Sequence, residues 1–319
     1  MADAQYIRGE NDRRLTAGAA IASGECWQLA DGLAAVYSGL NAAASGDRSS
    51  FSTSGQYTFT KSASVVLTDG QPVYWDHSAN SATYAPASDR DFFIGTAVGD
   101  AASADTAVAV NLNVRPKYKI DITRGAMEDA CVAAIVLTAG TPGITRVGGS
   151  SRLTFSATEE AQKVDILTRQ GFAVESNWIV EGGFTVVDDG DATAIDFNIG
   201  VANATHASDA DSITESCFLH LDGNTLDLFA ESDDGTTEVT ATDTTLNIAL
   251  GTSVHFVIDG RNTSDIQIYV NGANVLPNSV FRLNAATGPL KLLAHLEKTS
   301  DDTPAEYYVD YLRVRTAEQ

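Results

Sequence analysis

Basic residues are the first shortage in this 319-residue chain, which holds 20 Lys and Arg against 42 Asp and Glu for a formal net charge of −22. Nucleic-acid binding runs on Lys and Arg neutralising phosphates, and attraction to anionic membranes on the same residues, so neither nucleic acid nor membrane is expected as a partner. The shortage is uneven. Residues 1–145 hold 10 basic and 15 acidic side chains, residues 146–319 hold 10 and 27, and Gln170 to Gly260 contains 17 acidic residues with no Lys or Arg. That stretch reads either as loops holding a cation such as Ca²⁺ or as a solvated acidic surface that keeps an abundant protein soluble.

Cysteine is as scarce. Cys26, Cys131 and Cys217 are odd in number, far apart and in no C-x-x-C pair, which excludes a disulfide framework and a thiolate zinc site; each reads as a small core residue. No apolar run is long enough to cross a bilayer, and the start, Met1-Ala-Asp-Ala-Gln-Tyr-Ile-Arg, lacks the apolar segment of a secretory signal, so synthesis and retention in cytoplasm are expected. Catalytic signatures are missing too: there is no G-x-S-x-G elbow, no P-loop and no G-x-G-x-x-G after a strand. The five histidines, His77, His206, His220, His255 and His295, form no H-x-x-x-H pair. His220 and His255 read as hydrogen-bonded structural histidines in strands, the alternative being a zinc site assembled in space.

What the chain has is short apolar stretches, 26 glycines and many Thr, Ser, Val, Asp and Asn, with 44% hydrophobic residues against 19% charged. This composition predicts an all-β globular protein, and the length predicts two domains, because single cores stop growing near 250–300 residues. The first segment reads as strands: Glu25–Tyr37 split by Asp31-Gly32 into a hairpin, Gln56–Lys61, Ser64–Gly70, Pro72–Asp76, Phe92–Val98 and a strictly alternating Thr106–Val114 that stops before Pro116.

The succession GQPVYWD (Gly70–Asp76), a polar hairpin through Asn80 and Thr83, FFIGTAVGDAASADT (Phe92–Thr106) and AVAVNLNV (Ala107–Val114) resembles a family of small capsid decoration or cement proteins of tailed phages. The resemblance covers about residues 2–115, and the loop Ala42–Ser54 departs from the family's compactness. It implies a β-rich capsid-binding domain over 1–115 whose partners are the major capsid protein and, in a homotrimer, itself. Residues 116–150, with a Gly/Pro cluster from Gly140 to Gly149, are expected as a transition.

From 151 to 319 the strands lengthen, with period-2 patterns at Trp178–Val187, Ala194–Val201, Ser216–Leu221, Thr225–Ala230, Ser253–Ile258, Asp265–Val270 and Tyr307–Val314. Asp222-Gly223, Asp234-Gly235, Asp259-Gly260 and Asn271-Gly272 read as the turns between them, and the whole as a two-sheet sandwich. FNIGVAN, CFLHLDGNTLDLFAESDDGT, VHFVIDGRNTSDIQIYVNG and the closing VDYLRV look like the concanavalin/laminin-G-type jelly roll. That fold identifies architecture better than activity.

A jelly-roll glucanase needs two carboxylates across the sugar bond, usually on one strand face as E-x-D-x-x-E. The nearest candidates here, Glu175 and Glu181, lack a neighbouring Asp, so no catalytic residue is assigned and the protein is read as no enzyme. Asp188-Asp-Gly-Asp191 and Asp209-Ala-Asp211 bring hard-oxygen donors together, with Asp188, Asp189 and Asp191 the preferred candidate Ca²⁺ ligands and hairpin chemistry as the other reading; no other cofactor is expected. Trp178 and Tyr269 are the candidate glycan-stacking aromatics, with core packing as the alternative. Arg8, Arg13 and Arg14 are the candidate capsid contacts, or else a solvated arm. Together the resemblances imply a structural protein on the outer capsid surface of a virion, made in host cytoplasm, that cements the expanded lattice and projects a jelly roll outward. The alternative is a virion lectin binding host or environmental glycans.

Overall fold

The structure, a computed structural model, describes residues 4–8, 12–122, 131–132, 142–190, 194–207, 209–222 and 225–317. The chain divides into two compact units, Met1–Lys117 with Asn271–Ala273, and Tyr118–Val270 with Asn274–Gln319. Both are antiparallel β; among the described residues the only helical turn is a 3-10 turn at Ala210–Ser212, and no helix is long and apolar enough to cross a membrane.

The first unit is built from β1 (Ala4–Arg8), β2 (Asp12–Thr16), β3 (Cys26–Gln28), β4 (Ala34–Tyr37), β5 (Arg48–Ser52), β6 (Gln56–Thr60), β7 (Pro72–Asp76), β8 (Ser81–Thr83), β9 (Phe92–Ala97) and β10 (Ala107–Leu112). They form a six-stranded sheet, β1-β6-β10-β9-β7-β8, and a four-stranded sheet, β2-β5-β4-β3. Alternation along β10 buries Val108, Val110 and Leu112 with Tyr57, Phe59, Trp75 and Ile94, and the smaller sheet closes this core with Cys26, Ala34 and Val36. Asn113, in the left-handed region at φ 59°, ties the sheets together: its Oδ1 accepts from Ala34 N at 2.9 Å and its Nδ2 donates to the carbonyls of Ala34 and Thr53 at 2.8 and 2.7 Å.

Two expectations for this unit are corrected. Ser64–Gly70 is not a strand, because Ser64 (φ 63°) and Gly70 (φ 78°) turn the chain at both ends and leave Leu67 a single bridge to Ala101. Ala42–Ser54 is not simply a loop: it carries β5, whose Phe51 pairs with Arg13 and Tyr37 and fills the apolar cluster on the smaller sheet's other face.

The second unit comprises β11 (Ile120–Asp121), β12 (Cys131–Val132), β13 (Gly143–Val147), β14 (Ser150–Phe155), β15 (Glu160–Thr168), β16 (Trp178–Asp188), β17 (Ile195–Ala202), β18 (Glu215–Asp222), β19 (Asp227–Asp234), β20 (Glu238–Asn247), β21 (Ser253–Gly260), β22 (Gln267–Val270), β23 (Ala273–Asn274), β24 (Lys291–Asp301) and β25 (Ala305–Arg315). One sheet runs β13-β14-β25-β16-β21-β22-β23, with β11 beside β25; the other runs β12-β15-β24-β17-β18-β19-β20. Phe172, Trp178, Phe184, Phe197, Phe256 and Tyr307 fill the core between them, and each such side chain removed from water contributes roughly 1.5–3 kcal/mol. This is the two-sheet antiparallel sandwich the sequence pattern implies.

Described parts of 116–150 join this sandwich: β11 pairs with Val314 and Arg313, Ile120 and Ile122 enter the core, and β13 pairs along β14. Asn271-Gly272 forms its turn with both residues at positive φ, 49° and 79°. Asp259-Gly260 does not turn. Gly260 lies in β21 opposite Trp178, where a Cβ would stand 2.1 Å from the indole, so this glycine is a seat for the tryptophan ring.

Candidate functional site

The outward face of the seven-stranded sheet carries a dense polar cluster. Period-2 alternation puts Lys163 and Asp165 of β15, His295 and Glu297 of β24, Asp196 and Asn198 of β17 and His220 of β18 on the face opposite the core. Register aligns them: Asp165 pairs with His295, His295 with Asn198, and Asn198 with His220. The segment after β17 folds over this face, where Ala210 and Ile213 pack on Leu167, Ala202, Phe218 and Leu293.

Half of the cluster is a charge-balanced chain. Lys163 Nζ ion-pairs with Asp165 at 2.9 Å and donates to Thr205 Oγ1 at 2.9 Å and to the His206 carbonyl. Asp165 accepts from Thr205 Oγ1 and meets His295 Nδ1 at 2.5 Å, while His295 Nε2 meets Glu297 Oε2 at 2.6 Å. Lys163, Asp165 and His295 are wholly buried. Burial opposes charge on His295, but the carboxylates of Asp165 and Glu297 win and raise its pKa; burial opposes charge on Asp165 as well, and His295, Thr205 and Lys163 win and hold it down. Burial raises Glu297.

The other half is not balanced. His220, buried on β18, points Nδ1 at Asp211 Oδ2 (3.5 Å) and Glu231 Oε2 (3.7 Å), and Nε2 at Asp196 Oδ1 (3.6 Å). These are long ion-pair contacts rather than close hydrogen bonds, whereas His255 is the hydrogen-bonded strand histidine the sequence suggests, its Nδ1 lying 2.9 Å from the Tyr311 hydroxyl. Asn198 Nδ2 donates to Asp211 Oδ1 at 2.8 Å and Glu231 Oε1 at 2.9 Å, so it holds the far oxygen of each carboxylate and leaves the near one facing His220. Burial presses the His220 pKa down, and Asp196, Glu231 and Asp211 override it, pushing it up to about 11; burial, aided by Asp211, lifts Glu231 to about 7.

The other residues singled out in sequence stand elsewhere. Asp188 is exposed and its Oδ1 accepts from Gly190 N at 3.1 Å, a closed turn; burial and the neighbouring Asp188 raise Asp189; Asp191 lies outside the described residues. Trp178 is corrected as a glycan-stacking residue: it is fully buried, donates Nε1 to the Val174 carbonyl at 3.0 Å and packs on Phe172, so no ring face reaches a ligand. Tyr269 is half-buried on β22 between the inward Ile268 and Val270. Glu181 is buried between Arg313 (3.2 Å), Arg315 (2.7 Å) and the Tyr118 hydroxyl (3.0 Å), an ion-pair cluster, whereas Glu175 is exposed.

Arg8 lies in β1 and its side chain is outside the described residues; Arg13 and Arg14 are exposed in β2. They belong to strands rather than to a loose arm, since β1 pairs with β6 and β2 with β5. Arg13 ion-pairs with Asp31 beside a cleft of about 420 Å³ lined by Leu15, Trp27, Leu29 and Phe51. Arg14, next along the strand, projects to the opposite face.

Residues 8–112 match the family model described as phage cement protein. No curated protein matches the sequence. Among solved structures, one from the work "Prominent members of the human gut microbiota express endo-acting O-glycanases to initiate mucin breakdown" aligns with a TM-score of 0.46 at 10% identity, covering 63% of this chain and 100% of that one. The Emp47p carbohydrate recognition domain aligns at 0.42 and 10%, covering 60% and 96%, and the VIP36 exoplasmic/lumenal domain with bound Ca²⁺ and Man3GlcNAc at 0.40 and 7%, covering 62% and 89%. Likenesses this distant carry no argument about activity or ligand.

Proposed function

We propose that the chain is a structural virion protein whose first unit binds the outer surface of a phage capsid and stabilises the expanded lattice, with the second unit carried outside the shell. The observation that carries this reading is the match of residues 8–112, nearly the whole first unit, to the cement-protein model. The mechanism is linkage: a protein that binds only the expanded, assembled lattice stabilises it by mass action, by about 2.7 kcal/mol per site when free protein is at 100 times Kd. No bond is made or broken. The outer face of the four-stranded sheet suits the contact, because Trp27, Leu15 and Leu29 lie partly open there beside the exposed Arg13. A homotrimer on local threefold axes lets every copy use the same contacts.

The test adds purified full-length protein to expanded capsids that lack it, and measures occupancy by cryo-electron microscopy and the capsid melting temperature. Saturable density on the outer surface and a raised melting temperature are expected, with Arg13→Glu lowering occupancy at least tenfold. A bare shell at saturating protein refutes the reading. A glycan-binding role for the second unit is the second reading, favoured by Tyr269, which β22 turns away from the core. A glycan array probed with the whole protein and with Tyr269→Ala tests it, and binding unchanged by the substitution removes that residue from the role.

A further inference from the structure

The His220 cluster holds one imidazole against three carboxylates, and the 17 acidic residues between Gln170 and Gly260 have no Lys or Arg among them to offset the charge. The neighbouring Lys163–Asp165–His295–Glu297 chain on the same sheet face shows what a closed arrangement looks like, with every ring nitrogen taken. At His220 both ring nitrogens are buried, face carboxylates at 3.5–3.7 Å and make no close hydrogen bond.

One ligand atom each from Asp211, His220 and Glu231 lies within 4.8 Å of the others. The Nδ1 separations, 3.5 Å to Asp211 Oδ2 and 3.7 Å to Glu231 Oε2, are close to the edge of about 3.4 Å of a tetrahedron with metal bonds of about 2.0–2.1 Å. Outer groups are in place as well. Asn198 clamps the far oxygens of both carboxylates, and Asp196 faces Nε2 of His220, where an N–H would be oriented by a carboxylate as in metal-bound histidines.

From this geometry we propose that Asp211 Oδ2, His220 Nδ1 and Glu231 Oε2 bind one divalent transition-metal ion of the zinc class, with the fourth position open to water on the side of the exposed Asp211. One imidazole nitrogen with carboxylate oxygens suits Zn²⁺ better than the all-oxygen, higher-coordinate shell Ca²⁺ takes. The ion fastens the Ala210–Ser212 turn, which supplies Asp211, onto β18 and β19, which supply His220 and Glu231. It is distinct from the Asp188–Gly190 turn and independent of any capsid role.

The experiment is a Co²⁺ titration of the metal-stripped full-length protein. A 1:1 end point with the strong visible absorption of tetrahedral Co²⁺ is expected, displaced by Zn²⁺, lost in His220→Gln and Glu231→Gln, and kept in Asp188→Asn. At 100 times Kd, Zn²⁺ should raise the second unit's melting temperature by roughly 5–10 °C. If the variants fail to fold, the wild-type protein still decides: on adding Zn²⁺, only Nδ1 of His220, among the five histidines, should move to a metal-bound ¹⁵N shift. A wild-type protein with no tetrahedral Co²⁺ spectrum, binding retained by both Gln variants, or an unmoved His220 resonance overturns the proposal.

Discussion

Changing Asp165 to Asn should destabilise the second unit by about 3–5 kcal/mol, because it breaks a buried ion pair from one side. Asp165 is the hinge of the balanced chain: its carboxylate serves Lys163 at 2.9 Å and His295 at 2.5 Å, and no water reaches it. The amide is neutral, so the buried Lys163 would keep only the neutral oxygens of Thr205 and His206, and His295 only the carboxylate of Glu297. Urea unfolding with 5-fluorotryptophan and ¹⁹F NMR separates the units, since Trp27 and Trp75 lie in the first and Trp178 in the second. With a slope of about 2–3 kcal/mol/M, the Trp178 midpoint should fall by about 1–2 M. Removing charge from both sides with Lys163→Met and Asp165→Asn should recover at least about 1 kcal/mol relative to the sum of the single changes. The pH dependence follows by linkage. Asp165 has a lowered folded pKa, so its contribution is present above its unfolded value of 3.8 and lost as pH falls through the folded one; His295 has a raised folded pKa, so its contribution is present below 6.5 and lost as pH rises through the folded one. Asp165→Asn should therefore lack the acid-side loss due to Asp165 and shift the alkaline loss toward neutral pH. A Trp178 midpoint within about 0.3 M of wild type at pH 7 would refute the reasoning.

Three further outcomes are expected. Gly260→Ala should cost about 1–3 kcal/mol through the Cβ meeting the Trp178 indole, and should move the Trp178 fluorine resonance more than any other; an unmoved resonance contradicts the packing. Asn113→Ala should lower the first unit's stability by about 1–3 kcal/mol, since the Ala34 and Thr53 backbone groups lose their partner, with the effect read at Trp75 and absent at Trp178. Cys217 is buried in the core, and burial pushes its thiol pKa well up, so a thiol-specific disulfide reagent at pH 8 should label it only after denaturation; rapid labelling of the folded protein would show that β18 opens.

Strands with one face buried and one wet were legible because their sequences alternate: β10 and β17 fall within a residue or two of where Thr106–Val114 and Ala194–Val201 place them. Strands without that contrast were not, β15, β20 and β24 among them. Seven consecutive residues of β24, Leu292 to Lys298, are buried, so Lys291-Leu-Leu-Ala-His-Leu-Glu-Lys shows no period of two. β20 is an edge strand with one buried residue, and Glu238-Val-Thr-Ala-Thr-Asp-Thr-Thr reads as polar chain. Losing β24 hid the balanced chain, since Asp165 and His295 are 130 positions apart and meet only through strand register.

A local trace of the cluster was nevertheless present. Lys163-Val-Asp165, Asp196-Phe-Asn198 and His295-Leu-Glu297 each set two polar residues two apart around an apolar one, a pattern that in a buried strand commits both to the same outward face. Outward polar residues on a wet sheet face need no partner, but here the segment carrying Ala210 and Ile213 covers part of that face, so each charge beneath it needs a counter-charge. β15 brings Lys163 for this purpose, whereas β17, β18 and β19 lie wholly inside the stretch without Lys or Arg and bring none. The shortage visible along the sequence thus becomes, once the strands pair, a site where the single imidazole of His220 faces three carboxylates, the place the proposed divalent cation would occupy.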